Sequence, residues 1–232
     1  TATNTSGSIS SQVRANPTYG QSIVSYTGNA TSGATVGHGL SSAPEMIIVK
    51  GRESATNWAV LHKGIASDYE TDYIAMNNNS TVVDNVAYWN DTKPTNALFS
   101  LGNDNDVNKS GEGHIAYCFH SVTGYSKFGS YSGTGGTHTV TTGFRPAFLL
   151  TRRTDSADHW RIIDNVRSPL NDGSMEGLKA NAADNETDSG SRNIDFISTG
   201  FTIKDTDVDT NASGGTYIYM AFAGGMDSIS DY

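Results

Sequence analysis

The chain repeats itself, and that repeat constrains its fold more than any single motif does. Ser25-Tyr-Thr-Gly28 returns as Ser130-Tyr-Ser-Gly133, and Glu45-Met-Ile-Ile-Val-Lys50 returns as Ala147-Phe-Leu-Leu-Thr-Arg152. Thr35 to Pro44 is echoed by Thr139 to Pro146, and Asn57-Trp-Ala-Val-Leu-His62 by His159-Trp-Arg-Ile-Ile-Asp164. In each copy a Phe follows the Trp by 41 positions, at Phe99 and Phe201. Both copies close on N-x-S-G-x-x-[HY]-I-x-x-x-F without a gap, from Asn108 to Phe119 and from Asn211 to Phe222. Agreement in order, spacing and residue type over about 95 positions marks a tandem duplication of one supersecondary plan.

That plan is β. Short runs of β-branched and aromatic residues are separated by Gly, Asn and Pro turns. In the first copy they predict strands near 22–27, 34–38, 45–50, 57–62, 72–76, 97–101 and 113–121. In the second copy they predict strands near 127–132, 137–141, 146–152, 159–164, 194–197, 200–204 and 215–223, with a turn or two of helix near Ser174 to Ala182. The expected fold class is all-β: antiparallel sandwich or jelly-roll units, two tandem pseudo-repeats packed together. The division reads as an extended arm or linker over 1–19, repeat 1 over 20–124, repeat 2 over 125–225 and a tail over 226–232. The alternative for this segment is a strand that becomes ordered against a neighbour. Two separate sandwiches and one fused sandwich are both compatible with the spacing.

The repeated residues suggest their own purposes. Pro44 and Pro146 stiffen the entry to an apolar strand. The Gly of each Ser-Gly turn permits a tight bend. Trp58 and Trp160, with Phe119 and Phe222, read as core anchors, with a surface ligand platform as the alternative for the two Trp residues. Cys118, the single cysteine, lies in an apolar run and reads as a small buried hydrophobe rather than a reactive thiol.

Charge excludes some functions. Fifteen basic residues against 24 acidic ones give a formal net charge of −9, and no Lys/Arg cluster is large enough for nucleic-acid phosphates. No apolar run is long enough for a membrane helix.

Chemistry is hard to find. No nucleophile elbow, zinc-binding H-E-x-x-H, C-x-x-C or P-loop pattern occurs, so no catalytic residue is expected and the chain reads as non-enzymatic. Asp68, Glu70 and Asp72, or Asp184, Glu186 and Asp188, could supply a glycosidase carboxylate pair, but they fall in insertions that the copies do not share. Asp205, Asp207 and Asp209 alternate like calcium ligands, yet they lack the glycine and distal glutamate of an EF-hand; a polar hairpin turn is the competing reading. His114 stands where the second copy has Tyr217, which suits a packing residue better than a ligand. Tyr88-Trp89-Asn90-Asp91 belongs to the first copy alone. An aromatic pair beside an amide and a carboxylate suits sugar binding, and the alternative is that Trp89 plugs the end of the sandwich.

Several of these segments together are similar to one family. Ser25-Tyr-Thr-Gly-Asn29, Ala43-Pro-Glu-Met-Ile-Ile-Val-Lys50, Tyr88-Trp-Asn-Asp91, Gly143-Phe-Arg-Pro146 and the closing Asn211 to Ala223 run resemble a repeat domain of bacteriophage tail-fibre-like and other virion proteins. The resemblance spans roughly residues 20 to 224 and implies a virion protein assembled in the bacterial host cytoplasm. Other virion proteins are its implied partners, and a homo-oligomer, with a trimer favoured, its expected state. A tail-fibre or tail-tip role would involve contact with host surface glycan or protein. The alternative is a capsid decoration protein docking through its N-terminal arm, with a polysaccharide depolymerase as a third reading. No catalytic residue carries over from the resemblance.

Overall fold

The structure is a computed structural model that describes residues 1–167, 175–189 and 193–224. The first copy contributes β1 (Ala2–Asn4), β2 (Ser11–Asn16), β3 (Gln21–Thr27), β4 (Ala34–Gly37), β5 (Met46–Gly51), β6 (Trp58–His62), β7 (Asp72–Ala75), β8 (Val83–Asp84), β9 (Leu98–Leu101) and β10 (Gly113–Phe119). Single helical turns, α1 (Val86–Trp89) and α2 (Asn105–Asn108), flank β9. The second copy contributes β11 (Ser126–Ser132), β12 (His138–Thr141), β13 (Pro146–Arg153), β14 (Arg161–Asp164), β15 (Met175–Lys179), β16 (Thr187–Ser189), β17 (Ile194–Ile197), β18 (Gly200–Ile203) and β19 (Thr216–Ala223). The fold is all-β, and among the described residues the ladders between strands are antiparallel, with one isolated parallel bridge, Ile9 to Val36.

Each copy builds one large and one small sheet. The large sheets run β1-β2-β3-β10-β5-β6-β7-β8 and β11-β19-β13-β14-β15-β16, and the small ones β4-β9 and β12-β18-β17. From β3 and β11 onward the large sheets have the same strand order. The closing strand of each repeat, β10 or β19, lies between the first strand and the Pro-led strand.

Residue alternation explains how these sheets stack. Along β5, Ile47 and Val49 enter the core shared with β4 and β9, whereas Met46 and Ile48 enter a second core on the opposite face. Leu149 on β13 faces the small sheet of its own copy, and Leu150 faces the second core. A strand buried on both faces has no polar side, which is why these two segments read as continuous apolar runs. The second core mixes Met46, Ile48, Val60 and Ile74 with Phe128, Leu150, Trp160 and Ile218. The layers are therefore small sheet, large sheet, large sheet, small sheet, and the repeats form one fused sandwich.

Side-chain hydrogen bonds cross between the copies inside this stack. His62 Nε2 meets the Tyr219 carbonyl at 3.1 Å, Trp160 Nε1–H donates to Ala75 O at 2.9 Å, and Arg152 Nη2 donates to Ser80 O at 2.6 Å. Arg152 is fully buried, and its Nε and Nη1 have no hydrogen-bond partner among the described residues. Burial alone pushes its guanidinium down to about 10.

Two expectations need correction. The arm expected over 1–19 is committed to the chain's own sheet: β2 pairs with β3 in the register Arg14↔Ile23, and β1 pairs with β2. Val13 alternates inward against the core of the first copy, which supplies the apolar contact a free arm lacks. The helical turn expected over 174–182 is strand β15 at Met175–Lys179, paired with β14, with Ser174 outside the described residues. Sheet pairing overrides weak local propensity there. The tail, 226–232, also lies outside the described residues.

Candidate functional site

The repeated motif N-x-S-G builds the same structural clasp twice. Asn108 and Asn211 are both fully buried. Asn108 Oδ1 accepts from Asn29 N–H, and its Nδ2 donates to Thr31 O and Gly102 O. Asn211 repeats the arrangement with Thr134 N–H, Gly136 O and Asp205 O. Tyr26 and Tyr131 donate to the carbonyls of Val107 and Thr210, and their rings stack on His114 and Tyr217 at interplanar angles of 12° and 7°. His114 is thus a packing partner, as its exchange with Tyr217 suggested. Gly28 and Gly133 are needed because a Cβ there would sit 2.4 and 2.2 Å from the carbonyls of Lys109 and Ala212. Gly111 and Gly214 turn with φ near +75° and +77°. The role of the two Asn residues went unread in the sequence, although their gap-free recurrence was the available signal.

The sugar-binding quartet does not form a site. Tyr88 and Trp89 are 4% and 1% exposed, because α1 turns both rings into the first core. Tyr88 stacks on Tyr73 and donates to Asp106 Oδ2 at 2.8 Å. Asn90 and Asp91 bend away with positive φ, and Asn90 accepts from the Ser32 hydroxyl. The aromatic pair plugs the sandwich and presents no face to a ligand.

The calcium-like run forms a turn whose carboxylates are held by protein donors. Asp205 accepts from Asn193 N–H, Asp207 N–H and the Thr210 hydroxyl. Asp207 accepts from Asp209 N–H, and Asp209 pairs with buried Arg161. The carboxylates point to different partners, and among the described residues no group of three or more His, Cys, Asp or Glu is placed to hold a metal.

The glycosidase candidates also have local partners. Asp184 pairs with Lys179, Glu186 with Arg167 and Glu70 with Lys93, while the Asp188 side chain lies outside the described residues. Asp72 is held above its ordinary range by burial first and then by the charges of Asp68, Asp84 and Glu70. Cys118 is fully buried, and burial pushes its thiol up to about 12, where it stays protonated and inert.

An open surface exists where the sequence analysis placed none. On the face of the first large sheet that meets the second copy, register aligns Arg14, Ile23, Tyr117, Ile48, Val60 and Ile74 in one row across six strands. The second copy covers the row from Ile48 onward. Its β2, β3 and β10 end is left open, with Ile23 46% exposed and Tyr117 and Phe119 half-buried. A groove of about 440 Å³ lies there, bordered by Arg14, Asn16 and Gln21. In the second copy the position matching Ile23 is Phe128, 1% exposed and packed against Phe119 and Phe222. The two large sheets are therefore unequal: one is covered along this row, and the other overhangs.

Trp58 shares the overhanging face. It stacks on Tyr117 with centroids 6.5 Å apart and remains partly exposed beside Met76 and Asn77. Trp160 is sealed by contrast, at 1% exposure. The anchor reading holds fully for Trp160, while Trp58 packs with one edge accessible. Phe119 and Phe222 pack against each other across the two copies. Tyr117, Ile23 and Arg14 could not be picked out from sequence, because their exposure depends on where the second copy stops.

Fold and site together define an all-β protein of two fused repeats with one overhanging sheet face. Residues 1–225 match the family described as Domain of unknown function (DUF7483), and the chain belongs to that family. No curated protein and no solved structure matches it.

Proposed function

We propose that this chain is a non-enzymatic virion structural protein of tail-fibre or tail-tip type that contacts host surface glycan through the overhanging face of its first repeat. The observation that carries the binding role is the unequal cover of two sheets with the same strand order: Ile23 is open where its counterpart Phe128 is sealed. Aromatic rings bordered by amides and a guanidinium suit a sugar, whose apolar ring face stacks while its hydroxyls take hydrogen bonds. The virion assignment rests on the sequence resemblance, and a compact fused sandwich suits a durable surface module. Capsid decoration through residues 1–19 has less support, because β1 and β2 are committed to their own sheet. Homotrimerisation belongs to the same reading and is checked by light scattering on the purified chain.

The test is binding of the labelled chain to a panel of bacterial surface polysaccharides, beside Tyr117→Ala. Saturable binding lost in the variant supports the reading. Absence of binding across the panel, or binding that Tyr117→Ala leaves intact, overturns it.

A further inference from the structure

The groove on the overhanging face has a distinctive charge. The chain carries an excess of acidic residues, yet this groove is bordered by one cation, Arg14, and by no carboxylate. Arg14 is exposed, and its guanidinium has no ion-pair or hydrogen-bond partner among the described residues. It sits at the outer end of the row Arg14–Ile23–Tyr117. Two strand spacings place its Cα roughly 10 Å from that of Tyr117. A six-membered sugar ring fits between them, resting on Ile23 and Tyr117, with a substituent directed at the guanidinium. Gln21, in the adjoining row with Asn16 and Phe119, has a side-chain amide with no partner among the described residues and can meet a hydroxyl.

We infer that the ligand is an acidic saccharide, a uronic or sialic acid unit whose carboxylate is held by Arg14 while its ring stacks on Tyr117. This deepens the glycan-binding reading and rests on it. Guanidinium matches carboxylate with two parallel hydrogen bonds, a geometry that Lys cannot reproduce. The overall negative charge of the chain would repel polyanions elsewhere, so binding concentrates at this one face.

Calorimetric titration with oligogalacturonate, oligomannuronate and oligosialate, each beside its methyl ester, tests the inference. The ester keeps the sugar and removes the charge. The free acid of at least one pair is expected to bind about ten-fold or more tightly than its ester. Arg14→Ala should erase that difference while leaving ester binding unchanged, and Arg14→Lys should restore only part of it. Tyr117→Ala should weaken both forms, and thermal melts of each variant confirm folding. Equal affinity for acid and ester, or binding confined to neutral oligosaccharides, overturns the carboxylate inference and leaves the glycan reading standing. Binding to no saccharide overturns both. Polyglutamate binding as tightly as the saccharide, with the same dependence on Arg14, also overturns the inference by assigning the face to acidic peptide.

Discussion

Lowering the pH from 7 to 4 should remove about 3 kcal/mol of stability through His62 alone. The ring is 1% exposed between the two copies. Its Nδ1 accepts from Gly64 N–H at 3.0 Å, so the proton sits on Nε2 and is donated to Tyr219 O. Protonating Nδ1 would break the Gly64 bond and bury a cation. Burial, the largest cause, pushes the imidazole down from 6.5 to about 4; the Tyr219 bond and the charge of Glu45 oppose this, and Lys63 assists it. The unfolded chain therefore takes up a proton near pH 6.5 that the folded chain refuses until about pH 4. Stability is fully present above 6.5, falls by about 1.4 kcal/mol per pH unit through the window, and levels off near 4. A loss of about 3 kcal/mol is a large part of the 5–15 kcal/mol typical of folded domains. Urea midpoints at half-unit pH steps measure the slope, and NMR of the imidazole protons measures the ionisation directly. His38 is buried in the same style, with Leu40 N–H on Nδ1 and Thr95 O beside Nε2, and burial lowers it too. The comparison therefore sets wild type beside His62→Gln in both the native and the His38→Gln backgrounds. His62→Gln should flatten the profile between pH 6.5 and 4 by the His62 share. A His62 resonance titrating near 6.5, or identical slopes with and without His62, would refute the reasoning.

Four further outcomes are expected. Asn108→Ala and Asn211→Ala should each cost about 2–4 kcal/mol by urea denaturation, because each removes three hydrogen bonds and strands two backbone groups, Asn29 N–H and Gly102 O or Thr134 N–H and Asp205 O, while Thr31 O keeps Ala34 N–H and Gly136 O keeps the Thr134 hydroxyl; a cost below about 1 kcal/mol would mean that water replaces the amide. Trp160→Phe should cost more than Trp89→Phe, since Trp160 loses its bond to Ala75 O whereas the buried Trp89 Nε1–H has no partner among the described residues to lose; the reverse order of melting temperatures would contradict this. Trp89→Ala should cost about 3–5 kcal/mol as a cavity in the first core and should act on stability rather than selectively on glycan binding, as thermal melts and binding isotherms together would reveal. Chelator or added calcium should leave the melting temperature unchanged, because the carboxylates of Asp205, Asp207 and Asp209 already face protein donors; a calcium-dependent rise would contradict that account.

The duplication and the strands were legible in the sequence because both have short-range causes. Alternating or continuous apolar runs bounded by Gly and Pro predicted 22–27, 45–50 and 146–152, and the structure places β3, β5 and β13 within one residue of those bounds at each end. The tight turns at Gly111 and Gly214 were readable for the same reason. Strand β2 was harder to read, because Ser11, Arg14 and Asn16 offer little to bury and only pairing with β3 makes the segment regular. Tyr88-Trp89 failed for a related reason. Composition reveals what an aromatic beside an amide could bind, but one helical turn decides whether the rings face solvent or core.

By itself the sequence determined that the chain is all-β, built twice on one plan, with an inert cysteine and His114 as a packing residue. Local pattern suffices for those conclusions, because side-chain alternation and turn chemistry act over a few residues. Only the tertiary structure decided that the two copies share a core, that His62 and Arg152 are buried where they meet, and that Ile23 lies open while Phe128 is sealed. Those facts depend on how far one large sheet extends past the other. The extension comes from β1 and β2, which widen only the first sheet. Two nearly equivalent strand plans thus acquire different surfaces, and the binding face proposed here is the part of the wider sheet that the second copy does not reach.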